Sequence, residues 1–154
     1  MKIAIASDHA GFDLKGHLVA ALEIDGHEIL DLGTNSDASV DYPDFALKIS
    51  LAIISGEAER GIFICGSGVG GVIVVNKIKG IRSGLCHDTY SAHQGVEHDN
   101  MNILCLGSRV IGYNLAIEIS RAFITAEYSG EERHNRRLQK LADIENRNMK
   151  PPKQ

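Results

Sequence analysis

Short apolar runs alternate with longer amphipathic segments along most of the chain. Residues 2–7 (KIAIAS), 27–31 (HEILD), 61–65 (GIFIC), 81–86 (IRSGLC) and 102–106 (NILCL) have the length and apolar content of strands. Residues 14–25, 42–55, 70–77, 89–97 and 113–126 space their apolar side chains as helices do, and Pro43 suits a first helical turn. Residues 131–148 read as a charged, Arg-rich helical tail, and residues 149–154 as a flexible end. Strands and helices alternating over short connections predict a parallel sheet covered on both faces. Right-handed crossovers make this an α/β, doubly wound, Rossmann-like three-layer sandwich with a five-stranded parallel sheet and a C-terminal helical tail. No repeat or linker divides the 154 residues, so one domain is expected.

Ligands of such sheets bind beyond the carboxyl ends of the strands. Those ends carry Ser7-Asp8-His9, Gly33-Thr34, residues 65–71, His87-Asp88 and Gly107-Ser108-Arg109. The stretch GIFICGSGVGGVIVVNK, residues 61–77, is the most informative. Gly66, Gly68, Gly70 and Gly71 let backbone approach a ligand closely, and with Ser67 and Val69 they leave amides free for oxyanions at a helix start. Cys65 at the lip of that cradle is a candidate base or nucleophile, because such surroundings favour thiolate. The G-x-G-x-x-G match follows the third strand rather than the first, so a simple phosphosugar is a better fit than a dinucleotide.

Composition narrows the partners. A net charge of -4 gives no reason to expect nucleic-acid binding, and 5% aromatic content without Trp argues against base stacking. No apolar run is long enough for a membrane span, and Met1 leads straight into a strand without a signal-peptide layout. Cys65, Cys86 and Cys105 form no C-x-x-C pair and read as reduced thiols of a cytoplasmic protein, the latter two as core residues. No histidines have zinc-site spacing, and no metal is expected. Asp8 suits either a helix cap or the site, and Asp41 and Asp44 either a helix start or the site. His9 could bind phosphate or handle a proton.

His98, Asp99 and Asn100 end the helix after the fourth strand, on the sheet edge away from the glycine loop. If they function, they do so in a partner subunit's site. The same holds for Arg133, His134 and Arg137, which follow the last long helix. Arg133 and Arg137 are four apart and could clamp a phosphate from one helical face, or form a solvated basic face beside Glu131 and Glu132.

Together these segments resemble the type B ribose-5-phosphate isomerase family, which includes the galactose-6-phosphate isomerase subunits. The resemblance rests on SDHAG at 7–11, DYPD at 41–44, CGSGVG at 65–70, Asn76-Lys77, Gly80-Ile81-Arg82, Asn102 with Leu104, Gly107-Ser108-Arg109, and Arg133-His134 with Arg137, in family order over nearly the whole chain. It implies aldose–ketose isomerisation of a phosphorylated sugar through an enediolate, without metal or organic cofactor. Cys65 would be the base and the amides of residues 66–71 the oxyanion hole. Ser67 and His98 would assist ring opening, Asp8 would contact hydroxyls, and Tyr42 would lie near the substrate. His9, Arg109, Arg133, His134 and Arg137 would hold the phosphate, some from a second subunit, making a homodimer the minimum unit; the family also forms tetramers. Three positions depart from the family. Gly71 stands where some members carry a glutamate, Ser67 where many have threonine, and the usual His-Asn pair is His98-Asp99. Ribose 5-phosphate is the leading substrate; a hexose 6-phosphate such as allose or galactose 6-phosphate, or a non-catalytic binding role, are the alternatives.

Overall fold

A computed structural model describes residues 1–149; most of the end expected to be flexible, 150–154, lies outside the described residues. Five strands, β1 (Lys2–Ser7), β2 (Glu28–Asp31), β3 (Arg60–Cys65), β4 (Ser83–Leu85) and β5 (Ile103–Gly107), form one parallel sheet in the order β2-β1-β3-β5-β4. The central strands are buried from end to end, save the first residues of β1 and β3, because both faces are covered. Successive residues point to opposite faces. Ile3, Ile5, Ile62 and Ile64 meet Leu14, Leu18 and Leu22 of α1 (Phe12–Ile24), Val96 of α4 (Thr89–Asp99) and Ile119 and Phe123 of α5 (Tyr113–Thr125). Ala4, Ala6, Phe63 and Cys105 meet Ala46 and Ile49 of α2 (Tyr42–Ile54) and Val72 and Val75 of α3 (Val69–Val75). The last helix, α6 (Glu132–Asn148), buries little beyond His134.

The expected doubly wound architecture is present, and most boundaries differ by one or two residues. The fourth strand is shorter than expected: Ile81 and Arg82 belong to the preceding turn, where Ile81 is buried without joining the ladder. A single 3-10 turn, His9–Gly11, precedes α1. The chain reverses its winding between β1 and β3, which opens a crevice at their carboxyl ends. Among the described residues no helix is long and apolar enough to cross a membrane.

Candidate active site

Cys65 ends β3 at that crevice, with 4% of its surface exposed. The chain then turns through Gly68, whose φ of 80° lies in the left-handed region, and enters α3. A side chain at Gly68 would also strike Leu85 and the Leu106 carbonyl carbon, so glycine is required there twice over. Among the described residues the N–H groups of Gly66, Ser67, Gly68, Gly70 and Gly71 donate to no protein acceptor. The Ser67 hydroxyl accepts from the Val69 N–H at 3.3 Å. Gly71 faces the thiol: a Cβ there would sit 3.6 Å from Cys65 Sγ and 2.5 Å from the Phe63 ring. The Phe63 ring therefore fills the space a larger residue would need.

Neighbouring strand ends fix this loop. The Ser108 N–H donates to the Cys65 carbonyl at 2.9 Å, and the Arg109 N–H donates to the Gly66 carbonyl at 2.9 Å. The Ser108 hydroxyl donates to the Ala10 carbonyl at 2.7 Å, joining the ends of β1 and β5. The guanidinium of Arg109 passes within 3.5 Å of where a Gly66 Cβ would lie, and it has no ion-pair partner among the described residues. The Tyr42 ring lies over Gly70. Asp8 is buried; its Oδ1 accepts from the Gly11 N–H at 3.0 Å, so it caps the 3-10 turn from the edge of the crevice. His9 Nδ1 accepts from the Val40 N–H at 3.3 Å. Asp41 occupies the N-cap position of α2 with no side-chain cap bond. Thus Asp8, His9, Tyr42, Cys65, Ser67, Val69, the four glycines and Arg109 gather at one edge of the sheet.

The other two thiols are set apart by chemistry. Burial, reinforced by Asp88, pushes Cys86 up to about 11. Burial pushes Cys105 up to about 12, although the Ser83 hydroxyl lies 3.3 Å from its sulfur and acts the other way. Neither supplies thiolate near neutral pH, which agrees with their reading as core residues.

His98, Asp99, Asn100, Arg133, His134 and Arg137 lie at the opposite, amino-terminal edge. Asn100 ends α4 in the left-handed conformation, φ 49°. Arg82, before β4, donates through Nε to the carbonyls of Asp99 and Asn100, at 3.1 and 2.8 Å. His98 Nδ1 lies 3.0 Å from the Gln94 amide nitrogen. His134 is 1% exposed, its ring tilted against that of His98 and its Nδ1 3.0 Å from Ser129 Oγ. Arg133 pairs with Glu131 at 2.8 Å, and Arg137 is exposed. A groove of about 520 Å³ between β4, α4 and α6 is lined by Arg82, Asp99, Leu141 and Glu145. Within one chain the sheet separates this cluster from Cys65. The sequence places Ser108 and His87 at strand ends but gives them no role, because their partners are backbone groups of other strands, which leave no motif.

The Ribose/Galactose Isomerase family model matches residues 3–141. Ribose-5-phosphate isomerase B of Escherichia coli is 44% identical over 146 residues, covering 95% of this chain and 97% of that protein. D-erythrulose-4-phosphate isomerase of Pectobacterium atrosepticum is 41% identical over 131 residues, 84% of this chain and 86% of that one. The solved structure of ribose-5-phosphate isomerase B from Clostridium thermocellum superposes with a TM-score of 0.93 at 46% identity, over 96% of this chain and 99% of that one.

Proposed function

The chain belongs to the ribose/galactose isomerase family, and from that premise we propose that it interconverts ribose 5-phosphate and ribulose 5-phosphate through an enediolate. The observation that carries this reading is the pairing of the Cys65 thiol with a loop of undonated amides at a single strand end. Cys65 takes the proton next to the sugar carbonyl, and the amides of residues 66–71 stabilise the enediolate oxygen as it gains charge. Asp8 contacts hydroxyls from the β1 end, and Tyr42 closes the crevice over Gly70. His9 and Arg109 hold the phosphate from the same side.

The second cluster completes the site from a second copy. His98 and Ser67 assist opening of the sugar ring, and Arg133 and Arg137 add charge to the phosphate pocket. An apolar stripe beside the loop supports a homodimer: Leu47, Leu51 and Ile54 on α2 and Val69 and Ile73 on α3 are exposed in the single chain. Asp99 projects into solvent at the end of α4, with only its carbonyl engaged. The cytoplasm suits a chain with three free thiols.

The test is turnover of purified protein on ribose 5-phosphate, allose 6-phosphate and D-erythrulose 4-phosphate, wild type beside Cys65→Ala. Turnover of ribose 5-phosphate that vanishes in the variant supports both substrate and base. Activity confined to a four- or six-carbon sugar moves the substrate. Phosphosugar binding without turnover on any of the three would overturn the isomerase reading.

A further inference from the structure

His87 follows β4 on the same edge of the sheet as Cys65, and the reaction as read above does not use it. Its Nε2 accepts a hydrogen bond from the Gly107 N–H at 3.0 Å. A backbone N–H can only donate, so Nε2 carries no proton and the ring is neutral with its proton on Nδ1. Gly107 is buried, and its backbone abuts the glycine loop: a Cβ on Gly107 would sit 2.6 Å from the Ser67 carbonyl oxygen. The next two residues are Ser108, which holds the Cys65 carbonyl, and Arg109, which holds the Gly66 carbonyl.

We propose that His87 is a positioning residue: by accepting from Gly107 while neutral, it fixes the turn that sets Arg109 and the Cys65 loop against each other. Protonation at Nε2 turns the acceptor into a donor facing a donor. Without an acceptor there the buried Gly107 N–H loses its partner, and the turn loosens. Asp88, the next residue, carries the charge that lies beside the ring. Asp88 is itself engaged by the Ser91 N–H at 2.7 Å. The kinetic consequence rests on the reading of Arg109 as a phosphate ligand; the tie itself rests on the hydrogen bonds.

The test compares wild type with His87→Gln, whose amide oxygen reaches the same place and accepts at every pH, and with His87→Leu, which cannot accept. At pH 8, His87→Leu should raise KM for ribose 5-phosphate about tenfold while kcat changes less, and His87→Gln should stay near wild type. In NMR spectra the Gly107 N–H shift should move away from its wild-type position in His87→Leu and stay near it in His87→Gln. The proposal is overturned if His87→Leu leaves KM unchanged, if His87→Gln raises KM as much as His87→Leu, or if the Gly107 shift is the same in all three proteins. Arg109→Ala, run alongside, separates the two readings: an unchanged KM there removes the phosphate role of Arg109, while the Gly107 shift still decides the tie.

Discussion

The imidazole of His134 lies against that of His98, their centroids 4.2 Å apart and their planes inclined at 56°. Three segments meet at this contact. The Ser129 N–H donates to the Glu97 carbonyl at 3.0 Å, and the Ser129 hydroxyl reaches His134 Nδ1 at the same distance. Gln94 approaches His98 from the preceding turn of α4. His134, enclosed by its own chain, is better placed to hold His98 than to touch a phosphate.

A substitution at His134 should therefore act on ring opening. His134→Ala is expected to lower turnover of ribose 5-phosphate about tenfold, a fraction of what loss of an acid–base group costs. Ribulose 5-phosphate cannot close a five-membered ring, because the hydroxyl that would do so is phosphorylated. Solvent deuterium exchange into its C1, which needs only Cys65 and the amide loop, should stay within about twofold of wild type. Equal losses in both assays would show that His134 supports the whole fold rather than His98.

The proposal that two copies share each site makes a second, quantitative prediction. Cys65→Ala and His98→Ala should each be nearly inactive alone. Unfolded together in equal amounts and refolded, half of the resulting dimers carry one variant of each kind. One of the two sites in such a dimer is then intact, so activity should return to about a quarter of wild type. A mixture as inactive as its components would mean that each site is built from one chain.

Gly71 tests the packing around the thiol. Gly71→Ala places a methyl 2.5 Å from the Phe63 ring, whose side chain is wholly buried. Overpacking of this kind costs about 1–3 kcal/mol, which for a chain of this size is a Tm lower by roughly 2–10 °C. The same methyl would meet Cys65 Sγ at 3.6 Å, an ordinary contact, so turnover should change less than stability. Adding Phe63→Leu should recover part of the lost stability, so the two changes will not be additive. Thermal unfolding of the two single variants and the double variant measures the coupling.

The carboxyl edge was legible in the sequence because each of its parts follows a strand directly. SDHAG, CGSGVGG and GSR are local in the chain, and the strand order brings them together. The separation of His98 from Cys65 was legible for the same reason, since a helix that returns across the sheet must end at the opposite edge. What the sequence withheld is what depends on contacts between distant segments. The enclosure of His134 arises only when the 126–131 turn docks on α4. The acceptor role of His87 arises only when β4 lies beside β5. The late start of the fourth strand comes from Asn102, whose side chain accepts from the Arg82 N–H at 2.8 Å and donates to the Gly80 carbonyl at 2.9 Å, holding residues 80–82 out of the ladder.

The two core thiols predict how stability depends on pH. Folding holds Cys105 up at about 12 from an ordinary value of 9.0, chiefly by burial, and Cys86 moves the same way to about 11. Between those values the unfolded chain has released protons that the folded chain still keeps. Stability is therefore fully present below about pH 9 and is lost progressively as pH rises toward 11 and 12. Urea unfolding in the presence of reductant, at intervals from pH 7.5 to 10.5, should show a falling midpoint above pH 9. Cys105→Ala should begin lower, because it leaves a small cavity beside Phe63, yet its midpoint should fall less steeply over the same interval. A variant whose slope matches wild type would mean that the Cys105 thiol ionises as readily in the folded chain as in the unfolded one.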